Sequence, residues 1–362
     1  MKSTTPSSRF TKADLAKRFR LDEFVAEKFV TAVALVSLAA IVLIFVFVFR
    51  EAIPLFTKKE PAADPPKKEL VQEEEETYGE EFLGEGAKQL DAAQANKPSV
   101  EDVNHDEGAT FANLFSGTWQ PVATQPKYGL LPLMVGSLKV TVLALLFAAP
   151  LGILAALFTS SFAPKWSREY IKPAIELLAG FPSVVIGFFA LVTLASAMQN
   201  AFGYQFRLNA LVGAMAMALA VIPIVYTVAE DALTAVPKFM TEASLALGAT
   251  RWQTALFVTL PAATPGVFAA ILLGFGRAFG ETMIVLMATG NAALMSWNPL
   301  EPIRTMSATI GAEMAEVVFG DTHYHVLFFI GAVLFVFTFS LNAFAEFYVR
   351  QRLLKRFRGG TS

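Results

Sequence analysis

The chain has 362 residues, 54% of them hydrophobic and 17% charged, with 33 phenylalanines and a mean hydropathy of +0.50. Soluble domains carry about 25% charged residues, so this composition excludes an ordinary water-soluble enzyme and points to a membrane protein. The formal net charge of −2 says little because charge is segregated by segment, and the absence of cysteine removes disulfides, thiolate metal sites and cysteine nucleophiles.

Residues 1–28 form a basic segment holding Lys2, Arg9, Lys12, Lys17, Arg18, Arg20 and Lys28. The apolar run FVTAVALVSLAAIVLIFVFVF, 29–49, places a first transmembrane helix at 29–50. At about 1.5 Å per residue it reaches across a roughly 30 Å hydrocarbon core. It is long for a signal-peptide core, and REAIP after it offers no small-residue cleavage site, so it reads as a retained helix. Residues 51–128 begin Pro-rich (EPAADPPKKE) and turn acidic (QEEEETYGEEFLGEG). Such a stretch buries too little to order itself. It reads as a flexible extracytoplasmic spacer, with a docking surface for an external partner as the alternative. FANLFSGTWQP, 111–121, is aromatic and is expected to pack at the membrane surface.

Five more spans are expected, at 133–158, 173–199, 209–230, 263–291 and 326–349. The fold class is then all-α: a polytopic membrane protein with six transmembrane helices and a five-helix core at 129–350. Basic residues orient it. Lys165, Arg168 and Lys172 lie between spans two and three, and Lys238 and Arg251 between four and five. Arg350, Arg352, Lys355, Arg356 and Arg358 mark a basic C-terminal tail, 351–362, whereas the loop 292–325 holds only Arg304. Six spans put every basic segment and both termini in the cytoplasm.

Within the second span, Lys139 is expected to snorkel to the outer surface. In the third, Pro182 removes a backbone donor and disfavours helix at Phe181. A span broken there can present free N–H groups, with the Ser183 hydroxyl beside them, to an anion; a packing kink is the alternative. In the fifth, GFGRAFGETMIV, 274–285, sets Arg277 and Glu281 four residues apart on one helix face. A central arginine costs about 2.5–3.5 kcal/mol on insertion scales. Two compatible readings offset that cost: an ion pair that neutralises itself, and an anion site on a translocation path. Gly274, Gly276, Ala278 and Gly280 suit close packing, expected here against a partner subunit. His323 and His325 form an H-x-H whose two ligands lack a third, and read as loop filler.

The loop between spans four and five, 237–261, runs Glu242-Ala243-Ser244, three residues, Gly248, nine residues, Val258, one residue, Leu260-Pro261. Pro237 can start a helix, Gly248 can end one, and Pro261 begins the next span. This resembles the EAA loop of ABC importer permeases, with Ser244 where that family has alanine. The resemblance implies the MetI-like permease fold and a short coupling helix that docks on a separate ATP-hydrolysing subunit. The chain has no G-x-x-x-x-G-K-[ST], H-E-x-x-H or G-x-S-x-G. ATP and Mg are therefore expected at the partner ATPase, with no cofactor or metal on this chain and no enzymatic activity of its own.

GRAFGETMIVLMATGN (276–291), ELLAGFPSVVIGF (176–188) and AEDALTAVP (229–237) resemble permeases of the high-affinity phosphate importer, the PstC type more than the PstA type. The resemblance covers roughly 130–350. It implies a substrate pathway through Arg277, Glu281, Thr282 and Ser183 in a bacterial inner membrane. It also implies a PstA-like second permease, two ATP-binding subunits and an extracytoplasmic phosphate-binding protein, with lipid around them and no nucleic acid. The rivals are a permease for sulfate, molybdate or an organic solute, and a phosphate-sensing membrane protein.

Overall fold

The computed structural model describes residues 21–57, 111–123 and 126–348. The basic segment before residue 21, the acidic stretch 58–110, and the tail beyond 348 lie outside the described residues. The chain divides into two compact units, Met1–Arg50 and Glu51–Ser362. The helix α1, Leu21–Ala52, has 32 residues and takes in the apolar run at 29–49. Leu35, Val36, Leu43 and Ile44 on it are exposed, as on a helix that is hydrophobic all round.

The second unit opens with two single-turn helices, α2 (Pro54–Thr57) and α3 (Phe111–Leu114). An antiparallel hairpin follows, β1 (Trp119–Gln120) and β2 (Lys127–Tyr128), with Trp119 opposite Tyr128. This small ladder is the departure from an all-α chain among the described residues. Then come α4 (Leu131–Ser161) and α5 (Lys165–Ala179). The next span is α6 (Ser183–Phe189), a π-helical segment at Ala190–Leu194, and α7 (Ala195–Phe202). After it come α8 (Ala210–Thr234) and α9 (Lys238–Ala246). The next rod is α10 (Arg251–Thr254), a second π-helical segment at Ala255–Thr259, and α11 (Leu260–Ala262). The chain finishes with α12 (Thr264–Phe279), α13 (Met283–Ala288), α14 (Met306–Glu313) and α15 (Thr322–Tyr348).

Among the described residues of this unit four helices are long and apolar enough to cross a membrane: 131–161, 183–202, 210–234 and 322–344. The pair 251–262 and 264–279 makes a fifth if its 71° bend is counted as one span. Two sequence-based spans need correction. The third, expected at 173–199, begins at Ser183, because Pro182 breaks the chain after Gly180 and leaves 165–179 as a separate amphipathic helix. The fifth, expected as one helix over 263–291, bends at Ala263 and stops at Phe279. Pro261 therefore lies on the rod before the bend rather than starting the span. The break at Pro182 is the one its sequence allowed; continuous apolar character hid the one in the fifth span.

α8 is the axis of the core, packed between α4 and α12. Contact is close because glycines face it. A Cβ on Gly152 would lie 3.0 Å from Val225, one on Gly274 2.8 Å from Val225, and one on Gly266 2.3 Å from Ala232. Lipid offers no hydrophobic drive for helix pairing, so such backbone approach supplies the dispersion contact. Gly274 and the buried Ala278 are thus used within this chain, and Gly276 faces Asn342 of α15, so the close packing expected of them is made against this chain's own helices.

Candidate functional site

The charged pair sits where the fifth span breaks. α12 ends at Phe279, Gly280 closes it, and α13 starts at Met283, leaving Glu281 and Thr282 in the gap. Arg277 Nη2 lies 3.8 Å from Glu281 Oε2, with the arginine side chain 53% exposed and the glutamate 6%. The pair forms as the i,i+4 spacing predicts, although regular helix ends between its members. Ser307 Oγ donates to the Glu281 carbonyl at 2.7 Å, so α14 holds the gap open as a fixed bend. The guanidinium has five donors, and no hydrogen bond engages them among the described residues.

α6 stands against α13. A Cβ on Gly187 would lie 3.0 Å from Met287 Sδ and 3.1 Å from the Met283 carbonyl. Ser183, one turn earlier on α6, is half-buried. The structure brings its helix to the gap, but no hydrogen bond or ion pair links Ser183 to Arg277 or Glu281. Thr282 packs toward α14, where a Cβ on Gly311 would meet its methyl at 2.6 Å.

The loop 237–261 takes shape at the far end of α8. Pro237 precedes the nine-residue α9, and none of its residues is buried. Gly248 ends it in the left-handed region at φ +89, and the Ala249 N–H donates back to the Ser244 carbonyl. Thr250 opens α10 with a capping box to Gln253. Ser244 Oγ and Thr254 Oγ1, 3.0 Å apart, tie the two helices. Phe239, Leu245 and Leu247 stand exposed, and an apolar cavity of about 480 Å³ is lined by Phe239, Met240, Ala243, Leu247 and Val258 among others. Glu242 is exposed and joins no ion pair among the described residues. The arrangement is a short helix, started by Pro237 and closed at Gly248, whose apolar side chains are exposed among the described residues.

Three polar sites were misread or missed. Lys139 does not reach a surface: it is buried and its Nζ donates to the carbonyls of Ser296, at 2.9 Å, and Asn298, at 2.5 Å. His323 and His325 are not loop filler. They lie in the first turn of α15, His323 Nε2 at 2.9 Å from Glu313 Oε2 and His325 Nδ1 at 2.8 Å from the Glu51 carbonyl. Glu313 also pairs with Arg304 at 2.7 Å and accepts from Trp119 Nε1 at 3.2 Å. Burial, with Asp321 and Glu313 nearby, pushes the Tyr128 phenol up to about 12. At the opposite end, Lys172 Nζ bonds Glu230 at 3.2 Å and lies 3.8 Å from Asp231, which tethers α5 to the last turn of α8. An acid inside a span, Glu230, was the available signal for that pair.

Comparison with known proteins gives a consistent set. The family described as "binding-protein-dependent transport system inner membrane component" matches residues 148–353. A probable ABC transporter permease of Bacillus subtilis, YqgH, is 38% identical over 226 residues, 62% of this chain and 73% of that protein. The phosphate transport system permease protein PstC of Mesorhizobium japonicum is 33% identical over 256 residues, 66% of this chain and 77% of that protein. Among solved structures, a chain of a bacterial alginate ABC transporter, in complex with an alginate pentasaccharide-bound periplasmic protein, superposes with a TM-score of 0.52. It covers 92% of this chain and 98% of that one at 15% identity, a likeness of fold alone.

Proposed function

This chain belongs to the family of binding-protein-dependent transport system inner membrane components, and on that premise we propose that it is the PstC-type permease of an ATP-driven phosphate importer. Its partners are a PstA-like second permease, two ATP-binding subunits and an extracytoplasmic phosphate-binding protein. Both termini and α9 lie in the cytoplasm, in keeping with Lys172, Lys238 and Arg251 at that end. α9 docks its exposed Phe239, Leu245 and Leu247 on an ATPase subunit. Glu242, Ala243, Ser244 and Gly248 set the shape of that contact, and Pro261 carries the motion into the bend before α12. ATP and Mg stay on the partner.

The observation that supports the anion path best is the state of Arg277: half exposed, ion-paired at 3.8 Å, and hydrogen-bonded to nothing among the described residues. Its donors are free for an oxyanion, and charge-assisted bonds to phosphate are among the strong ones. Thr282 and Ser183 supply hydroxyls from the two helices that meet at the gap. Glu281 adds selectivity. Phosphate near neutral pH keeps a proton that sulfate lacks; a buried carboxylate accepts a hydrogen bond from the first and repels the second. Uptake by a reconstituted complex bearing Glu281→Gln tests this. The variant should lose discrimination and admit sulfate; unchanged phosphate uptake with sulfate still excluded would remove the carboxylate from the reading.

A further inference from the structure

The expected span 173–199 takes in only the second half of α5, and the whole helix has three distinct faces. A helix turns about 100° per residue, which gathers Trp166, Tyr170, Pro173 and Leu177 within about 60° of one another. Trp166, Tyr170 and Leu177 are 68%, 72% and 73% exposed. Between a third and a half of a turn away, Ile171 and Ile175 pack on the core. The remaining third is charged. There Glu169 and Glu176 are exposed, Arg168 donates to the Ser160 carbonyl at 2.8 Å, and Lys172 holds Glu230 at 3.2 Å.

Connectivity fixes where such a helix can lie. Only residues 162–164 separate it from α4, and only 180–182 separate it from the span that starts at α6. Both neighbours are long and apolar enough to cross the bilayer. α5 thus joins the ends of two spans through connectors of three residues each. The exposed apolar side of α4, through Leu151, Leu154 and Phe158, also runs down toward it. Trp and Tyr collect at the bilayer boundary, where their rings are half in apolar surroundings and half hydrated.

We propose that α5 is an in-plane interfacial helix, its Trp166–Tyr170–Leu177 stripe seated in lipid at the headgroup–acyl boundary and its Glu169–Glu176 edge in water. Each third of the helix then has its own solvent: protein, lipid and water. Through Lys172 and Glu230 the helix also ties the last turn of α8, which leads into α9, to the membrane plane. A subunit surface is the competing occupant of the stripe, and the acidic edge beside it does not favour an anionic lipid. The attraction is therefore apolar and should persist in zwitterionic vesicles.

The chain has no cysteine, so single cysteines carry a nitroxide label without background from it. Trp166→Cys, Glu169→Cys, Tyr170→Cys, Glu176→Cys and Leu177→Cys would be labelled in the full complex, with cysteine-free partner subunits, in phosphatidylcholine vesicles. Spin relaxation by dissolved oxygen, which enters lipid, is compared with relaxation by a water-soluble nickel chelate. Labels at 166, 170 and 177 should favour oxygen and labels at 169 and 176 the chelate, a reversal of the ratio between faces. Chelate access at 166, 170 and 177 would put the stripe in water and overturn the proposal. Shielding of the same labels from both reagents would put it under protein and overturn it equally. The inference rests on α5 joining two spans, not on the substrate; phosphate uptake in the same vesicles tells the two failures apart.

Discussion

Replacing Arg277 by glutamine, alone and together with Glu281→Gln, separates the two roles the pair can play. Unit charges about 3.8 Å apart attract by about 4 kcal/mol at an effective dielectric constant near 20. Half of the arginine faces outward, and screening brings the net worth to roughly 1 kcal/mol. Arg277→Gln strands a buried carboxylate and should cost the complex about that much, read as a lowered melting temperature of the solubilised assembly. The double variant replaces both charges by amides and should recover most of it. Uptake should behave differently. Losing a hydrogen bond to a charged group costs about 1.5–3 kcal/mol, or about a ten- to hundredfold fall in phosphate uptake. Both Arg277→Gln and the double variant should show it. A double variant that recovers stability and uptake together would refute the anion role and leave the pair structural.

Gly187→Leu drives a side chain into Met287 Sδ and the Met283 carbonyl, at 3.0 and 3.1 Å from the first added carbon. Overpacking of that kind costs about 1–3 kcal/mol, so the melting temperature and uptake should fall together, with Gly187→Ala milder. Gly248 has φ +89 and open space around it, so Gly248→Val pays only in backbone strain, about 1–2 kcal/mol. The complex should assemble on a pull-down while permease-stimulated ATP hydrolysis drops. Glu313→Ala strips a carboxylate from Arg304 at 2.7 Å and should destabilise the folded chain by about 3–5 kcal/mol, and Arg304→Met/Glu313→Leu by much less, in thermal melts. Tyr128 keeps its proton up to about pH 12 in the fold, while an unfolded tyrosine loses it near pH 10. Its contribution is whole below pH 10 and falls, by ~2 kcal/mol, as pH rises to 12. Alkaline melts should show that slope, and Tyr128→Phe should flatten it.

Much of the architecture was legible because long apolar runs have one stable use. The runs at 133–158, 209–230 and 326–349 fall within α4, α8 and α15 to within a few residues. Hydropathy reports composition and not direction, so the apolar half of α5 was merged with the span beyond Pro182. The same blindness carried the fifth span through Gly280. The Arg277–Glu281 contact was readable from an i,i+4 spacing, and the limits of α9 from Pro237 and Gly248, because both rest on neighbours in sequence. Lys139 and His323 were not. A lysine that snorkels and one that binds carbonyls have the same local sequence, and the partners of Lys139 lie 157 and 159 residues away. Local pattern carries local geometry; a buried polar group is defined by whatever distant atom satisfies it.

ATP-driven uptake of radiolabelled phosphate tests the assignment most directly, in vesicles holding this chain, its partner permease, the ATP-binding subunits and the phosphate-binding protein. Phosphate should accumulate only with ATP and the full set, sulfate should not compete, and Arg277→Gln should cut accumulation about ten- to hundredfold while ATP hydrolysis persists. Accumulation undiminished by Arg277→Gln, or ATP hydrolysis that never moves phosphate, would contradict it.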